Sequence, residues 1–539
     1  MKHMKKIASF VLAAIMVLAM VVPTFAANLT INDTRANRTY EAYQIVTGDI
    51  SGTEASGFTL TNLKWGTGVS AVDGTSVTSG ALLTEAQINA LPASNASRAD
   101  IKTYVDKLTL TNVKAASSAK TGAGATGYEF TGLAAGWYLV KETTVTSGTD
   151  DFTTAFLMEV VGDATADIKG SKTTVEKKVD DVNDSTGAAG LLKDSADHDI
   201  GDDITFTLTA KLGDDLTDYS TYKLVFTDNL SKGLTYKELV SVSVMHGATT
   251  TTKNNSIVTV EDGAWDGTST AYTDGSVKKF TITNVLDSAV GAVAGDSIII
   301  KYKATLNSYA VMGSEGNPNK VYLEYSNNPA SGGLGKTGED TNKVFTYKAV
   351  FDKVTTENEV TKHLTGAEFT LFKVKSTITD AEVAALSGSS TVDGTTVLKQ
   401  YSAVKSAGKF DGEASEVADS VFTFNHIDDG TYVLVETSTP TGYNTAANKK
   451  FVVTATHSEE SATPELLTLT GNRTSGIVDA ATTTATGSST NSNTANIVNN
   501  KGTELPTTGG IGTTIFYVLG SILVLGAVIL LATRRRMSR

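Results

Sequence analysis

The runs Ile204-Thr205-Phe206-Thr207-Leu208, Val421-Phe422-Thr423-Phe424 and Lys301–Leu306 place apolar residues at every second position, and polar, glycine-bearing turns separate such runs along the chain. A period of two sends successive side chains to opposite faces of a strand, so one face is buried and the other is wet. Strands of this kind, punctuated by turns, pair antiparallel and stack as sandwiches of the immunoglobulin type. The expected class is therefore mainly β. Only Thr84–Leu91 and Ser97–Leu108 read as helical. With 539 residues the chain should divide into about three or four domains. Gly162–Thr174 is polar and lacks a strand pattern, and Asn327–Asn342 is rich in turn residues, so both read as junctions. The expected domains are residues 27–166, 167–336 and 337–504. Thr482–Asn493, a Thr/Ser/Asn run, reads as a mobile loop inside the last of them.

The two ends are addresses. Met1–Ala26 has a lysine-bearing start, an apolar stretch from Ile7 to Val22, Pro23, and small residues placed for cleavage after Ala26, the pattern of a secretory signal. Ile511–Ala532 carries no charge, spans about 33 Å as a helix and is followed by Arg534-Arg535-Arg536, so it reads as a transmembrane helix with a cytoplasmic basic end.

Composition removes several function classes. There is no cysteine, so disulfides, thiolate metal sites and a cysteine nucleophile are excluded. The six histidines are scattered without metal-ligand spacing, and no cofactor or metal is expected. The net charge is −13 although both termini are basic, so the interior is more acidic still and repels nucleic acid. A secreted glycosidase would need a paired acid and base in a cleft, and no such constellation stands out.

Strand parity singles out charged residues on the core face. In Val175-Glu176-Lys177-Lys178-Val179, Lys177 shares its face with the valines and Lys178 does not. Asp228 falls with Leu224, Phe226 and Leu230, and Asn319 with Val321, Leu323 and Tyr325. Asp203, a rival acid, is out of phase with Ile204, Phe206 and Leu208. The third domain repeats the arrangement: Lys353 lies with Tyr347, Ala349 and Phe351, Glu436 with Tyr432 and Leu434, and Asn499 with Ala495 and Ile497. An amine, an acid and a carboxamide buried together cost several kcal/mol unless they satisfy one another.

Burial lowers a lysine pKa and raises that of an acid, which favours a neutral amine beside a protonated acid. Such an amine can attack the asparagine side-chain carbonyl while Asp228 or Glu436 donates to the oxygen that gains charge; ammonia leaves and a Lys–Asn amide remains. The amide would confine the unfolded chain as a disulfide does. The alternative is a hydrogen-bonded lysine–acid pair with an ordinary asparagine beside it.

Leu505-Pro506-Thr507-Thr508-Gly509 precedes the apolar span, and the order pentapeptide, span, basic tail resembles the cell-wall sorting signal of Gram-positive surface proteins. Pro440-Thr441-Gly442-Tyr443 following Tyr432–Glu436 resembles an E-box. With Leu364–Leu371, Leu323–Pro329 and Thr174–Val179, these motifs resemble sortase-assembled pilus backbone (major pilin) subunits, the isopeptide-forming fimbrial shaft proteins with Cna-type immunoglobulin-like domains.

The resemblance implies a CnaA-like middle domain cross-linked through Lys177, Asp228 and Asn319, and a CnaB-like last domain cross-linked through Lys353, Glu436 and Asn499. It also implies that a class C, pilus-specific sortase cuts between Thr508 and Gly509 and passes the Thr508 acyl group to a lysine of the next subunit, a wall-anchoring sortase acting afterwards. The family's acceptor lies in a Tyr-Pro-Lys motif that Ile168-Lys169-Gly170-Ser171-Lys172 lacks; alignment places Lys169 there, with Lys172 in reserve. Neighbouring copies, accessory pilins and a host surface ligand are the implied partners.

The first domain departs from the pattern. Gly136–Glu142 echoes Gly430–Glu436, but the opening strand Leu29–Asp33 has no lysine, so no cross-link is expected and Glu142 should pair with a surface cation or line a docking groove. A wall-anchored adhesin or minor pilin that binds a host ligand without polymerising would carry the same sorting signal.

Overall fold

The computed structural model describes residues 26–35, 37–53, 57–92, 98–113, 118–119, 127–143, 155–168, 172–272, 274–327, 333–471, 477–479 and 495–502. The signal segment up to residue 25, Lys169, Thr482–Asn493, the sorting pentapeptide and Ile511–Ala532 lie outside the described residues. Strands dominate, as the period-two patterning requires. Among the described residues no helix is long and apolar enough to cross a membrane.

The chain forms two compact units. The first comprises Met1–Asn183, Ala188–Thr346 and Ala455–Thr468. Its N-terminal part has one sheet in the order Ala164–Asp167, Ala27–Asn32, Tyr128–Leu133, Ser118–Ala119, and another in the order Ala155–Val160, Gly136–Glu142, Tyr40–Thr53, Gly57–Trp65. Leu29, Ile31, Tyr40, Phe130, Tyr138 and Val140 share one core. Glu85–Ala90 and Arg98–Val105 are helical, as expected. The first is capped reciprocally by Thr84 and Gln87, each backbone N–H donating to the other's side chain, which satisfies two otherwise orphaned donors.

The remainder of this unit has two further sheets. One runs Ala188–Lys193, Thr174–Asn183, Asp203–Lys211, Ser297–Leu306, Leu234–His246, Thr249–Lys253; the other runs Ser195–Asp197, Asp340–Phe345, Asn317–Ser326, Leu224–Leu230, Ser276–Ile282, Thr259–Asp262. Their inner faces share a core that includes Phe206, Leu208, Phe226, Phe280, Ile300 and Leu323. The two stretches read as junctions both contain strand: Ala164–Asp167 pairs parallel with Ala27–Asn32, and Asp340–Phe345 pairs with Asn317–Ser326. Each gives its core too few apolar side chains, Ala166 in one and Val344 in the other, for its sequence to show a run of alternation.

The second unit comprises Asp184–Gly187, Tyr347–Thr454 and Leu469–Arg539. Tyr347–Glu357 is central to one of its sheets, pairing antiparallel with Val360–His363 and Val417–Ile427 and parallel with Ala495–Val498. Glu368–Val374 lies between Val397–Ser402 and Gly430–Ser438 in the other. A third helix, Asp380–Ala385, went unread. Its capping box, Thr379 with Glu382, is nevertheless visible in the sequence as a threonine three residues before a glutamate.

Candidate cross-linking sites

Both lysine–acid–carboxamide trios come together in the core. In the first unit Lys177, Asp228 and Asn319 are each fully buried. Lys177 stands opposite Leu208 in one sheet; Asp228 is opposite Val321, and Asn319 opposite Leu230, in the other. The alternation that buries Lys177 leaves Lys178 on the other face, where it pairs with Asp194, and leaves Asp203 outside, paired with Lys237. Lys177 Nζ contacts Asp228 Oδ2 directly and donates to Tyr302 Oη at 3.1 Å. Asp340 accepts the Lys177 backbone N–H at 2.6 Å, fixing the strand that presents the amine. Asn319 Oδ1 is buried and accepts no hydrogen bond, a condition that costs about 1–3 kcal/mol.

Electrostatics at this pair follow from burial. Desolvation pushes the Lys177 amine below its ordinary pKa despite the attraction of Asp228, and desolvation pushes the Asp228 carboxyl above its own despite Lys177, Tyr302 and Asn319. Both shifts favour a neutral amine beside a neutral acid, the protonation states that acyl transfer to nitrogen requires.

The second trio is wired differently. Lys353 is opposite Ile497 in the parallel pair, so its strand and the one leading to Asn499 are neighbours in one sheet, while Glu436 reaches in from the other. Lys353 Nζ donates to Asn499 Oδ1 at 2.6 Å and to the Ile497 carbonyl at 2.8 Å, and lies 3.8 Å from Glu436 Oε1. Asn499 Nδ2 donates to Glu436 Oε1 at 2.8 Å, and Glu436 Oε2 accepts the Ala446 N–H at 2.6 Å. Burial lowers the Lys353 amine to about 8, partly opposed by Glu436.

Another buried lysine shows the contrast. Lys373 Nζ donates to the carboxyl groups of both Asp428 and Asp184, the latter at 3.1 Å. Histidine spacing gave no metal signal; the fold brings a His457 ring nitrogen and carboxylate oxygens of Asp181 and Asp197 within 4.8 Å of one another. Lys193 Nζ, 3.1 Å from Asp181, already supplies positive charge there.

In the N-terminal part Glu142 has two partners the sequence did not reveal. Arg35 Nη2 donates to Glu142 Oε2 at 3.0 Å and Arg38 Nη1 to Oε1 at 3.3 Å. These cations are not on the surface: their side chains are only 18% and 10% exposed. Arg35 and Tyr40 also donate to Asp33. Burial alone would raise the Asp33 carboxyl, but these bonds outweigh it and hold it below its ordinary value. Arg35 follows its strand in irregular backbone, where no periodicity points to a partner. Replacing Arg35 with alanine should leave Asp33 and part of Glu142 buried without their shared cation and cost about 3 kcal/mol, read as a lower thermal midpoint.

Tyr302 is the site residue that sequence analysis missed. Its hydroxyl donates to Asp228 Oδ1 at 2.9 Å and accepts from Asn319 Nδ2 at 2.7 Å. Parity with Ile300, Ala304 and Leu306 placed it inward, and a buried tyrosine hydroxyl needs partners, so the signal was present.

Family models match three stretches. Residues 200–329 match the Gram-positive pilin backbone subunit 2, Cna-B-like domain, residues 351–466 the prealbumin-like fold domain, and residues 497–538 the LPXTG cell wall anchor motif. Together these matches support a sortase-assembled major pilin. The chain is similar to the trypsin-resistant surface T6 protein of Streptococcus pyogenes serotype M6, 26% identical over 412 residues, which cover 68% of this chain and 70% of the relative. Among solved structures it resembles the T6 backbone pilin of the same serotype, with 18% identity, TM-score 0.48 and coverage of 89% of this chain and 100% of that one. It also resembles BcpA, the major pilin subunit of Bacillus cereus, with 14% identity, TM-score 0.39 and coverage of 89% and 99%. The pilin-backbone, prealbumin-like and wall-anchor matches support a shaft subunit of a surface pilus attached covalently to the Gram-positive cell wall, rather than the non-polymerising adhesin that the sorting signal alone would have allowed.

Proposed function

We propose that each shaft subunit is welded internally by two amide bonds, Lys177–Asn319 and Lys353–Asn499, and joined to the next through Thr508 and Lys169. Three sandwich domains, 27–166, 167–336 and 337–504, carry these roles, the first without a bond. The observation that supports the reading is the pair of buried trios, the first with its amine against the acid and Tyr302 joining both to the carboxamide, the second with its amine against the carboxamide and the acid bonded to that carboxamide. Asp228 and Glu436 promote the bonds, each forming once, so the protein is a sortase substrate without turnover. A pilus-specific class C sortase cleaves after Thr508, a wall-anchoring sortase ends the fibre, and accessory pilins or a host ligand engage the finished shaft. Lys169 is flanked by Ile168, packed on the N-terminal core, and by the exposed Lys172, the reserve acceptor.

The trypsin resistance recorded in the name of the streptococcal relative is a property these bonds would confer here. Trypsin should therefore leave the wild-type ectodomain largely intact while degrading an Asn319→Ala/Asn499→Ala variant under the same conditions; equal digestion of both would count against the bonds. The second bond should also depend on pH. Only the neutral amine is a nucleophile, and Lys353 is held near 8, so newly synthesised chains kept unfolded until folding is started should form Lys353–Asn499 faster as pH rises through about 8. Mass spectrometry of timed samples reads the rate, and a rising limb centred near the ordinary lysine value of 10.5 would contradict the buried-amine account.

A further inference from the structure

The Tyr302 hydroxyl touches all three members of the first trio, and its contact with Asn319 is to Nδ2, the nitrogen that departs if Lys177 and Asn319 condense. In the second trio that nitrogen donates straight to the acid, Glu436. The geometry points to Tyr302 as a catalytic residue of the Lys177–Asn319 condensation, relaying a proton from Asp228 to the leaving nitrogen. This rests on the cross-link reading above.

The steps balance. Neutral Lys177 Nζ adds to Asn319 Cγ, and the carbonyl electron pair moves onto oxygen. Tyr302 gives its proton to Nδ2 and takes the proton of Asp228 in its place. The oxyanion collapses, the Cγ–Nδ2 bond breaks and ammonia leaves. The Asp228 carboxylate then takes the surplus proton from Nζ, restoring both helpers. With Asp228 ionised, Tyr302 donates to it; with Asp228 protonated the direction reverses, and the tyrosine hydrogen is released toward Asn319. Burial and the nearby Asp228 hold the phenol well above its ordinary pKa, so it passes protons without itself ionising.

Tyr302→Phe keeps the ring that stacks on Phe206 at 5.4 Å and Phe280 at 5.2 Å and removes only the hydroxyl. Timed intact masses of newly synthesised wild-type ectodomain, kept unfolded in denaturant until dilution starts folding, should show two ammonia losses. The variant should show one at the normal rate, mapped by tryptic peptides to Lys353–Asn499, and a Lys177–Asn319 bond slowed by about 100-fold or more. Near-UV circular dichroism checks its fold. If the phenylalanine variant does not fold, 3-fluorotyrosine at position 302, a stronger acid of nearly the same shape, should change the rate of that bond alone. Wild-type rates in whichever of these variants folds would overturn the relay. A wild-type chain that never loses ammonia from Lys177 and Asn319 would instead overturn the cross-link itself.

Discussion

Converting Asn319 and Asn499 together to alanine is expected to raise the intact mass of the mature ectodomain by about 34 Da beyond the change due to the side chains, because two ammonia molecules are no longer lost. Each substitution alone should restore about 17 Da, since the trios lie in different units and react independently. Stability should fall with the bonds. Lys353 and Asn499 are 146 residues apart. Closing a loop of that size is worth about 5 kcal/mol in the chain-entropy account of cross-links. For a domain of this size, that corresponds to a fall of about 10–20 °C in the thermal midpoint. Asparagine is the better member to remove, because deleting Lys177 or Asp228 would also strand a buried ionisable partner. A wild-type mass equal to the plain sequence would show that the trios remain hydrogen-bonded and unreacted.

The second large effect is on assembly. Lys169→Ala should abolish the high-mass ladder in cell-wall extracts and leave monomer, whereas Lys172→Ala should leave the ladder unchanged. A branched peptide joining Thr508 to Lys169, isolated from trypsin-treated fibres, would name the junction directly. If the ladder survives Lys169→Ala and disappears with Lys172→Ala, the exposed Lys172 is the acceptor. If it survives both, polymerisation uses another amine. Thr508→Ala should also remove the ladder, since no acyl group can then be transferred.

The inward positions of Lys177, Asp228, Asn319, Lys353, Glu436 and Asn499 were legible because strand parity is a strong constraint and a buried charge must find partners. Parity says nothing about which sheet a strand joins. The difference between the trios, one drawn from two sheets and the other seating its lysine and asparagine on neighbouring strands, emerged only from the register. Tyr302 was on the correct face but carries no charge to draw attention. Arg35 and Arg38 escaped because irregular backbone has no period, and Ala164–Asp167 because a strand of four residues is too short to show one. The helix at Asp380 was overlooked where a capping signal stood in plain text.

The parallel pairing of Tyr347–Glu357 with Ala495–Val498 puts the last strand of the second unit beside its first, just upstream of the sorting pentapeptide. With the proposed Lys353–Asn499 bond and Thr508 junction formed, tension entering at Thr508 would pass from Asn499 directly into Lys353, and the residues between them would hang off the load path. A protease that severed a surface loop there would then leave the fibre covalently continuous. Those loops would be free to drift in sequence without weakening the thread that runs through Lys353 and Asn499.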